Sequence, residues 1–183
     1  MTQLNLVTGA TGFLGSAVAR ALLARGEAVR VLARPNSDRR NLAGLPVEIA
    51  EGSLEDRDSL RRAVGGCDNV FHVAADYRLW VKDKSAMLRA NVDGTVALMQ
   101  ASQAEGVKRI VYTSSVAVLG HVESGVADER TPSTLSDMVG IYKQSKFLAE
   151  EEVKKLIREQ NLPCVIVNPS TPIGPRDIKP TPT

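Results

Sequence analysis

Residues 9–15 read Gly-Ala-Thr-Gly-Phe-Leu-Gly and carry the strongest structural signal in the chain. An apolar run over residues 4–8 precedes them, and a helical pattern of apolar residues follows them as far as Gly26. Glycines let the backbone turn tightly and approach a ligand closely. The first N–H groups of a helix have no partner within it, and the helix dipole adds about half a positive charge there. A strand, a glycine-rich turn and a helix in this order predict a phosphate site of the kind that holds a dinucleotide.

The glycine spacing is G-x-x-G-x-x-G, whereas the commoner dinucleotide fingerprint is G-x-G-x-x-G. Three glycines alone are a weak signal, because an ordinary strand–turn–helix junction can also contain them. Here the required strand precedes the turn and the required helix follows it. We therefore expect these residues of the turn to contact the cofactor: Gly9, Thr11, Gly12, Phe13, Leu14 and Gly15.

Composition and charge indicate an ordinary globular chain. Its 183 residues are 43% apolar and 24% charged, which suits one domain with a sizeable core. The 23 basic and 21 acidic residues give a net charge of +2, so nothing indicates nucleic acid or an anionic membrane as the main partner. No apolar run approaches the roughly 20 residues that a membrane span needs. Because Met1 leads directly into the first strand, we expect no signal peptide and a cytoplasmic protein.

Cysteine and histidine are sparse. Cys67 and Cys164 are the two cysteines, and they have neither C-x-x-C spacing nor clustered histidines nearby. We therefore expect neither a disulfide framework nor a metal site.

Strand-like and helix-like segments alternate along the chain. Short runs rich in Val, Ile and Leu predict strands at 3–8, 28–33, 46–50, 69–74, 109–113 and 164–168. Helical spacing and end signals predict helices at 13–25, 56–63, 84–104 and 138–160. The strands are apolar on both faces, which is typical of a parallel sheet covered on both sides. Right-handed crossovers then give an α/β, doubly wound, Rossmann-like parallel sheet with helices on both faces and ligands at the carboxyl ends of its strands.

The end of the chain differs in composition from the rest. Five of the nine prolines lie in residues 169–183, and the run from Asn168 to Pro175 suits neither a helix nor a central strand. We therefore divide the chain into a dinucleotide-binding domain that carries the catalytic residues, 1–168, and a proline-rich start of a substrate-binding region, 169–183.

The residue at the end of the second strand indicates which dinucleotide binds. NAD-binding units place an Asp or Glu about 20 residues beyond the glycine turn, where it accepts hydrogen bonds from the adenosine ribose. Arg34 occupies that place, and a guanidinium pairs with a 2′-phosphate instead. This replacement, with Arg39 and Arg40 following, predicts NADP rather than NAD. If the arginines only form a solvated loop, Asp38 is the alternative ribose acceptor, although it comes late in the sequence.

Two further segments fit a cofactor at this edge. Ala74 and Ala75 follow the fourth strand, where backbone would line the cofactor, and Ser53 and Leu54 follow the third strand and could flank the adenine. His72 has apolar neighbours and no acid or serine partner close by in sequence. We therefore interpret His72 as a strand residue rather than a catalyst.

Tyr142 and Lys146 lie four residues apart in a strongly helical stretch and therefore share a face. A tyrosine with its usual pKa of about 10 is a poor acid–base catalyst at neutral pH, and a nearby ammonium favours the phenolate and lowers that pKa. Ser115 follows the fifth strand, and its hydroxyl could hold a carbonyl oxygen while Tyr142 moves the proton. The alternative is a surface tyrosine and lysine on a helix, but the serine-bearing strand and the dinucleotide turn favour catalysis.

Asn91 is a weaker candidate for a catalytic residue. It lies on one helical stripe with Met87, Gly94, Leu98 and Ala101. An asparagine on a buried stripe needs hydrogen-bond partners. It either orders a water in a proton relay or satisfies backbone groups, and the sequence does not choose between these roles.

As an ordered set, these residues resemble the extended short-chain dehydrogenase/reductase superfamily. The matching segments cover nearly the whole chain: 8–15, 72–75, 91–95, 114–115, 142–146 and 168–169. Arg34 is similar to the dihydroflavonol-reductase-like branch, and residues 76–80 and 168–175 look like the bacterial hopanoid-associated sugar epimerases. The resemblance implies Ser115, Tyr142 and Lys146 as the catalytic triad. It also implies that Pro169 and Ser170 lie beside the nicotinamide.

Two departures from the family pattern matter. Ser53 stands where the family usually has Asp before Leu, which weakens the expected adenine contact. Family members also continue into further strands and a smaller substrate-binding domain, so the resemblance implies that the C-terminal substrate domain is missing and that the region after 168 is truncated. In the family, dimers commonly pair the helices that match residues 84–104 and 138–160, so a homodimer is one expectation.

Three functions stay open. The first is an NADP-dependent oxidoreductase that transfers a hydride between the nicotinamide and a carbonyl or alcohol of a small organic substrate, which Arg34 favours. The second is an NAD(P)-dependent sugar epimerase or dehydratase with the same triad. A dehydratase of this family is expected to carry Asp-Glu where Val116-Ala117 stands, which counts against that half of the alternative. The third is a nucleotide-binding fragment without turnover.

Overall fold

The computed structural model describes residues 2–78 and 81–178. Within them, six strands form one sheet: β1 Leu4–Thr8, β2 Ala28–Ala33, β3 Glu48–Glu51, β4 Asn69–His72, β5 Arg109–Thr113 and β6 Cys164–Val167. All neighbouring pairs are parallel, and the order across the sheet is β3-β2-β1-β4-β5-β6. This is the strand order of a Rossmann-like doubly wound sheet, so the predicted fold class is confirmed.

An α-helix joins each pair of successive strands except β2 and β3, which a short 3₁₀ turn connects. The α-helices are α1 Phe13–Ala24, α2 Arg57–Val64, α3 Lys84–Leu88, α4 Gly94–Ala104 and α5 Ile141–Gln160. A π-helical turn, Arg89–Asp93, joins α3 to α4, and short 3₁₀ turns lie at Arg40–Leu42, Val116–Val118 and Leu135–Asp137. Among the described residues, no helix combines the length and the apolar character that crossing a bilayer requires.

The two faces of the sheet carry separate cores. On one face, α2, α4 and α5 bury a large apolar cluster that includes Leu60, Leu98 and Val153. On the other face, α1 packs over β1 and β2, where Ala19 is fully buried with Val7. Burying one large apolar side chain stabilises by about 1.5–3 kcal/mol, so a one-residue slip of a strand would cost several such terms. Burial on both faces thus fixes the register and the edge at which the strands end.

Two strand boundaries differ from the prediction because of backbone hydrogen bonding. β4 ends at His72, not at 74, because the N–H groups of Val73 and Ala74 each donate to Thr8 Oγ1 at 3.1 Å instead of joining the sheet. β3 begins at Glu48, not at 46, because Pro46 has no N–H to give to a ladder.

Two helix boundaries differ as well. The segment predicted as one helix over 84–104 contains the π-helical turn in its middle. The helix predicted from 138 begins at Ile141, because Gly140 has φ +89°, a left-handed conformation that cannot continue a helix. Both differences lie beside residues of the candidate site.

Candidate functional site

The glycine turn between β1 and α1 leaves no room for side chains. Gly9 has φ +72°, and its carbonyl accepts a hydrogen bond from the N–H of Gly12 at 2.9 Å. A Cβ on Gly15 would lie 2.3 Å from the Gly9 oxygen, and a Cβ on Gly9 would lie 2.7 Å from the Ala74 nitrogen. The glycines therefore let the turn pack tightly on itself and against the segment after β4.

The amino end of α1 is open to an anion. Its cap residue, Gly12, makes no side-chain hydrogen bond, and the first turn of the helix contains no acidic residue. The N–H groups there need an acceptor, and the helix dipole favours a negative one. An uncapped helix end above a bare glycine turn thus fits the pyrophosphate of a dinucleotide.

Asn41 belongs to this site although the sequence analysis did not single it out. Its buried amide donates to the carbonyl of Thr11 at 3.3 Å and to that of Arg176 at 3.2 Å. A Cβ on Gly174 would lie 3.3 Å from the ring of Phe13, so the proline-rich segment returns over the glycine turn. No local pattern could link residues 41 and 176, since the contact exists only in the folded chain.

The loop after β2 carries the residues predicted to recognise the adenosine. Asp38 holds Arg40 through both carboxylate oxygens, at 3.0 Å and 3.1 Å from its Nε, which argues against Asp38 as the ribose acceptor. Arg39 pairs with Glu51 at 2.7 Å. Arg34 is exposed at the end of β2, and within the described ranges it forms no salt bridge of its own. Of the three arginines, Arg34 is thus the one most available to a phosphate.

Contacts within the protein hold the backbone of Ser53 and the side chain of Leu54. The hydroxyl of Ser59 accepts from the N–H of Ser53 at 3.2 Å and donates to the carbonyl of Asp56 at 2.8 Å. A Cβ on Gly94 would lie 2.7 Å from the Cβ of Leu54, so the Leu54 side chain packs against the start of α4. The contact of these residues with an adenine stays a prediction.

His72 is fully buried in a chain of hydrogen bonds. Thr8 Oγ1 already accepts the two N–H groups that follow β4, so its hydrogen goes to His72 Nδ1, at 2.8 Å. His72 Nε2–H then donates to Thr95 Oγ1 at 2.9 Å, and the Thr95 hydroxyl donates to the carbonyl of Asn91 at 2.6 Å. Burial lowers the pKa of His72 to about 3, and Lys146 acts in the same direction. His72 is therefore a neutral link between the end of β1 and the π-helical turn.

Asn91 lies within that π-helical turn and clamps the loop after β4. Its Oδ1 accepts from the N–H of Asp76 at 2.7 Å, and its Nδ2 donates to the Asp76 carbonyl at 2.8 Å. The same Nδ2 donates to Ser145 Oγ at 2.9 Å, and Ser145 donates to the carbonyl of Tyr142 at 2.7 Å. The side chain thus satisfies backbone groups, the second of the two roles that the sequence left open. The ordering of a relay water stays a prediction.

Lys146 and Tyr142 interact differently from what their spacing suggested. The Lys146 amine is buried and donates to Tyr112 Oη at 3.1 Å and to the carbonyl of Thr113 at 2.8 Å. Burial raises the pKa of Tyr142, and a hydrogen bond with Ser115 only partly opposes this. The amine is directed at β5 rather than at the phenol, and the lowering of the Tyr142 pKa by Lys146 stays a prediction.

Ser115 is fixed by the segment that follows β6. The Asn168 amide donates to the Ser115 carbonyl at 3.1 Å and to Glu150 at 3.0 Å, and the N–H of Val116 donates to the Pro169 carbonyl at 3.2 Å. These contacts hold Pro169 next to the serine. Ser170 is exposed and Ala75 is partly exposed at the same edge of the sheet. Their contact with a cofactor stays a prediction.

The part of the chain that the structure describes has no cluster of three metal-ligand side chains. No three His, Cys, Asp or Glu side chains gather there as metal ligands do. Cys67 and Cys164 are both free.

Comparison with known proteins relates the chain to one family. The model of the NAD dependent epimerase/dehydratase family matches residues 5–183. A Synechocystis sp. protein provisionally named a dihydroflavonol 4-reductase is 48% identical over 184 residues, which cover 100% of this chain and 53% of that protein. The chain spans about half the length of the curated relatives it matches.

Two solved structures show the same fold. The crystal structure of gox2253 is 59% identical with a TM-score of 0.93, and the match covers 99% of this chain and 55% of that one. A short-chain dehydrogenase/reductase superfamily protein from Agrobacterium tumefaciens, solved with bound NAD, is 33% identical with a TM-score of 0.78. That match covers 90% of this chain and 48% of the other.

Proposed function

The chain belongs to the NAD dependent epimerase/dehydratase family, and we propose that it binds NADP(H) and transfers a hydride between the nicotinamide and a carbonyl or alcohol of a small organic substrate. The resemblance to extended short-chain dehydrogenases/reductases is confirmed at the level of this family. The observation that carries the proposal is the meeting of Ser115, Tyr142 and Lys146 around the carboxyl end of β5, at the same edge of the sheet as the glycine turn.

The chain's own residues account for the proton and for substrate orientation. The nicotinamide, when bound, supplies or accepts the hydride. Ser115 Oγ donates a hydrogen bond to the substrate carbonyl oxygen, and the Tyr142 phenol gives that oxygen its proton. Burial raises the pKa of Tyr142, so the phenol is protonated at neutral pH and suits the direction of reduction. The buried charge of Lys146, one helical turn away, favours the phenolate that remains.

Arg34 supports NADP over NAD as the cofactor. It is exposed where the adenosine ribose would lie, while Asp38 is occupied by Arg40. A guanidinium matches a 2′-phosphate in charge and geometry, and it cannot accept a hydrogen bond from a ribose hydroxyl. The uncapped end of α1 would hold the pyrophosphate.

Replacing Tyr142 with Phe tests the catalytic role. Tyr142→Phe removes the proton donor, so we expect turnover of aldehydes and ketones with NADPH to fall by about 10²–10⁴-fold. The Kd for NADPH, measured by calorimetry, should stay close to that of the unchanged chain. Lys143→Ala, at the neighbouring exposed position of the same helix, is the control and should leave both quantities unchanged.

The outcomes separate the candidate functions. Retained turnover in Tyr142→Phe would remove Tyr142 from the reaction. Dinucleotide binding without turnover in the unchanged chain, over a panel of carbonyl compounds, would instead support a nucleotide-binding fragment.

A sugar epimerase is the second candidate. The name of the family and the bound NAD of the Agrobacterium protein favour it. A dehydratase fits less well, because Val116 and Ala117 offer no carboxyl group after Ser115. Mass spectrometry of the purified protein discriminates between the epimerase and the reductase. Tightly retained NAD would support an epimerase, and a site that is empty after purification but binds added NADPH reversibly would support a reductase.

A further inference from the structure

Tyr112 lies on β5 at a buried position that an apolar side chain could also fill. Its ring lies within the core beneath α4 and α5, and only 1% of its surface is exposed. A buried tyrosine hydroxyl needs a hydrogen-bond partner, whereas a phenylalanine would need none. Lys146 Nζ donates to Tyr112 Oη at 3.1 Å, and the Ser114 hydroxyl is a second partner of the phenol.

The surroundings of Lys146 consist of few polar groups. Nζ donates to Tyr112 Oη and to the carbonyl of Thr113, and it lies 4.6 Å from the centre of the Tyr112 ring. A cation near an aromatic ring gains a further attraction when it is shielded from water. Tyr112 thus contacts the amine through its hydroxyl and its ring together.

The charged groups around Lys146 stabilise the charged form of its amine only weakly. On α5, Glu150 lies one turn beyond and favours the charged form, while Lys154 and Asn168 already hold its carboxylate. On β4, the ring of His72 lies 5.6 Å from that of Tyr112 and is kept neutral. Burial outweighs these effects and lowers the pKa of Lys146 to about 8.

We propose that Tyr112 is a positioning residue, whose hydroxyl and ring hold the Lys146 ammonium at the carboxyl end of β5. With the Thr113 carbonyl it fixes Nζ at the site edge, one helical turn from Tyr142. The role of Lys146 in the reaction rests on the proposed function, whereas the placing of its amine by Tyr112 does not.

Tyr112→Phe removes the hydroxyl and keeps the ring. Losing one acceptor to a charged donor should lower the pKa of Lys146 by about one unit. Lysine labelled with ¹³C at Cε reports this pKa by NMR titration, and Lys146→Arg identifies the signal by its disappearance. Tyr77→Phe, at an exposed tyrosine 45% accessible, is the matched control and should leave the titration unchanged. A pKa of Lys146 that stays the same in Tyr112→Phe would overturn the proposal.

A measurement on the unchanged chain keeps the proposal testable if Tyr112→Phe does not fold. The ammonium protons of Lys146 should exchange with water far more slowly than those of exposed Lys143, and they should show a nuclear Overhauser contact to the Tyr112 ring. Exchange as fast as that of Lys143 would contradict the proposal. Neither experiment needs turnover, so failure of the proposed reaction and failure of this inference remain distinguishable.

Discussion

His72 shows at the residue scale how a buried polar side chain can connect two parts of a site. Its ring joins Thr8, at the end of β1, to Thr95, which in turn donates to the carbonyl of Asn91. A buried hydroxyl without a partner costs about 1–3 kcal/mol, so losing one member of this series of hydrogen bonds would destabilise the fold. The sequence could place His72 at a strand end, but its two threonine partners, 64 and 23 residues away, come from the fold.

His72 should make stability fall on acidification. Its pKa is about 3 in the folded chain and about 6.5 when unfolded, so the unfolded state binds the proton first as the pH falls. The stability that neutral His72 contributes is therefore complete above pH ~6.5 and decreases between there and pH ~3. Between pH 7 and pH 5 the decrease should amount to about 2 kcal/mol.

Denaturant unfolding at pH 7 and at pH 5 measures this dependence. His72→Phe should have a lower free energy of unfolding at pH 7 and a flatter dependence on pH than the unchanged chain. His121→Gln replaces the other histidine, which is exposed, and is the control. The account of His72 fails if both variants have the slope of the unchanged chain.

At the element scale, the π-helical turn is the feature that apolar spacing could not predict. Spacings of three and four residues continue through 84–104, and they fit an α-helix with or without one inserted residue. The turn exists because Asn91 reaches the backbone of Asp76 while Thr95 bonds back to the Asn91 carbonyl. Long-range hydrogen bonds therefore decided this boundary. The starts of α1 and α5, in contrast, follow glycines visible in the sequence.

Asn91→Ala should release the loop after β4. The change removes the acceptor for the Asp76 N–H and the donor to the Asp76 carbonyl and to Ser145. We expect amide hydrogen exchange at Asp76 to become at least about tenfold faster, equivalent to the roughly 1.4 kcal/mol of a lost hydrogen bond. Asn36→Ala, at an exposed asparagine after β2, is the control. Unchanged protection of Asp76 would show that the loop is held by other contacts.

At the scale of the whole molecule, the fold could be predicted further than the site. Apolar strands between helical segments sufficed for the sheet and its parallel pairing, because burial on both faces leaves few alternatives. They did not show how unequally the faces are covered. Among the described residues, α1 and the 3₁₀ turn with Leu42 pack on one face, and Val165 and Val167 remain 44% and 40% exposed. A contact such as Asn41 to Arg176 depends on how distant segments meet. The division after residue 168 and a homodimer stay predictions.

The central claim is that the carboxyl edge of this sheet binds a dinucleotide and that Arg34 selects NADP. Calorimetric titration of the 183-residue chain with NADPH and, separately, with NADH tests both parts at once. The account predicts tighter binding of NADPH, and a loss of that preference by about 1–3 kcal/mol in Arg34→Asp. Tighter binding of NADH, or a preference that Arg34→Asp leaves unchanged, would contradict it and favour the epimerase.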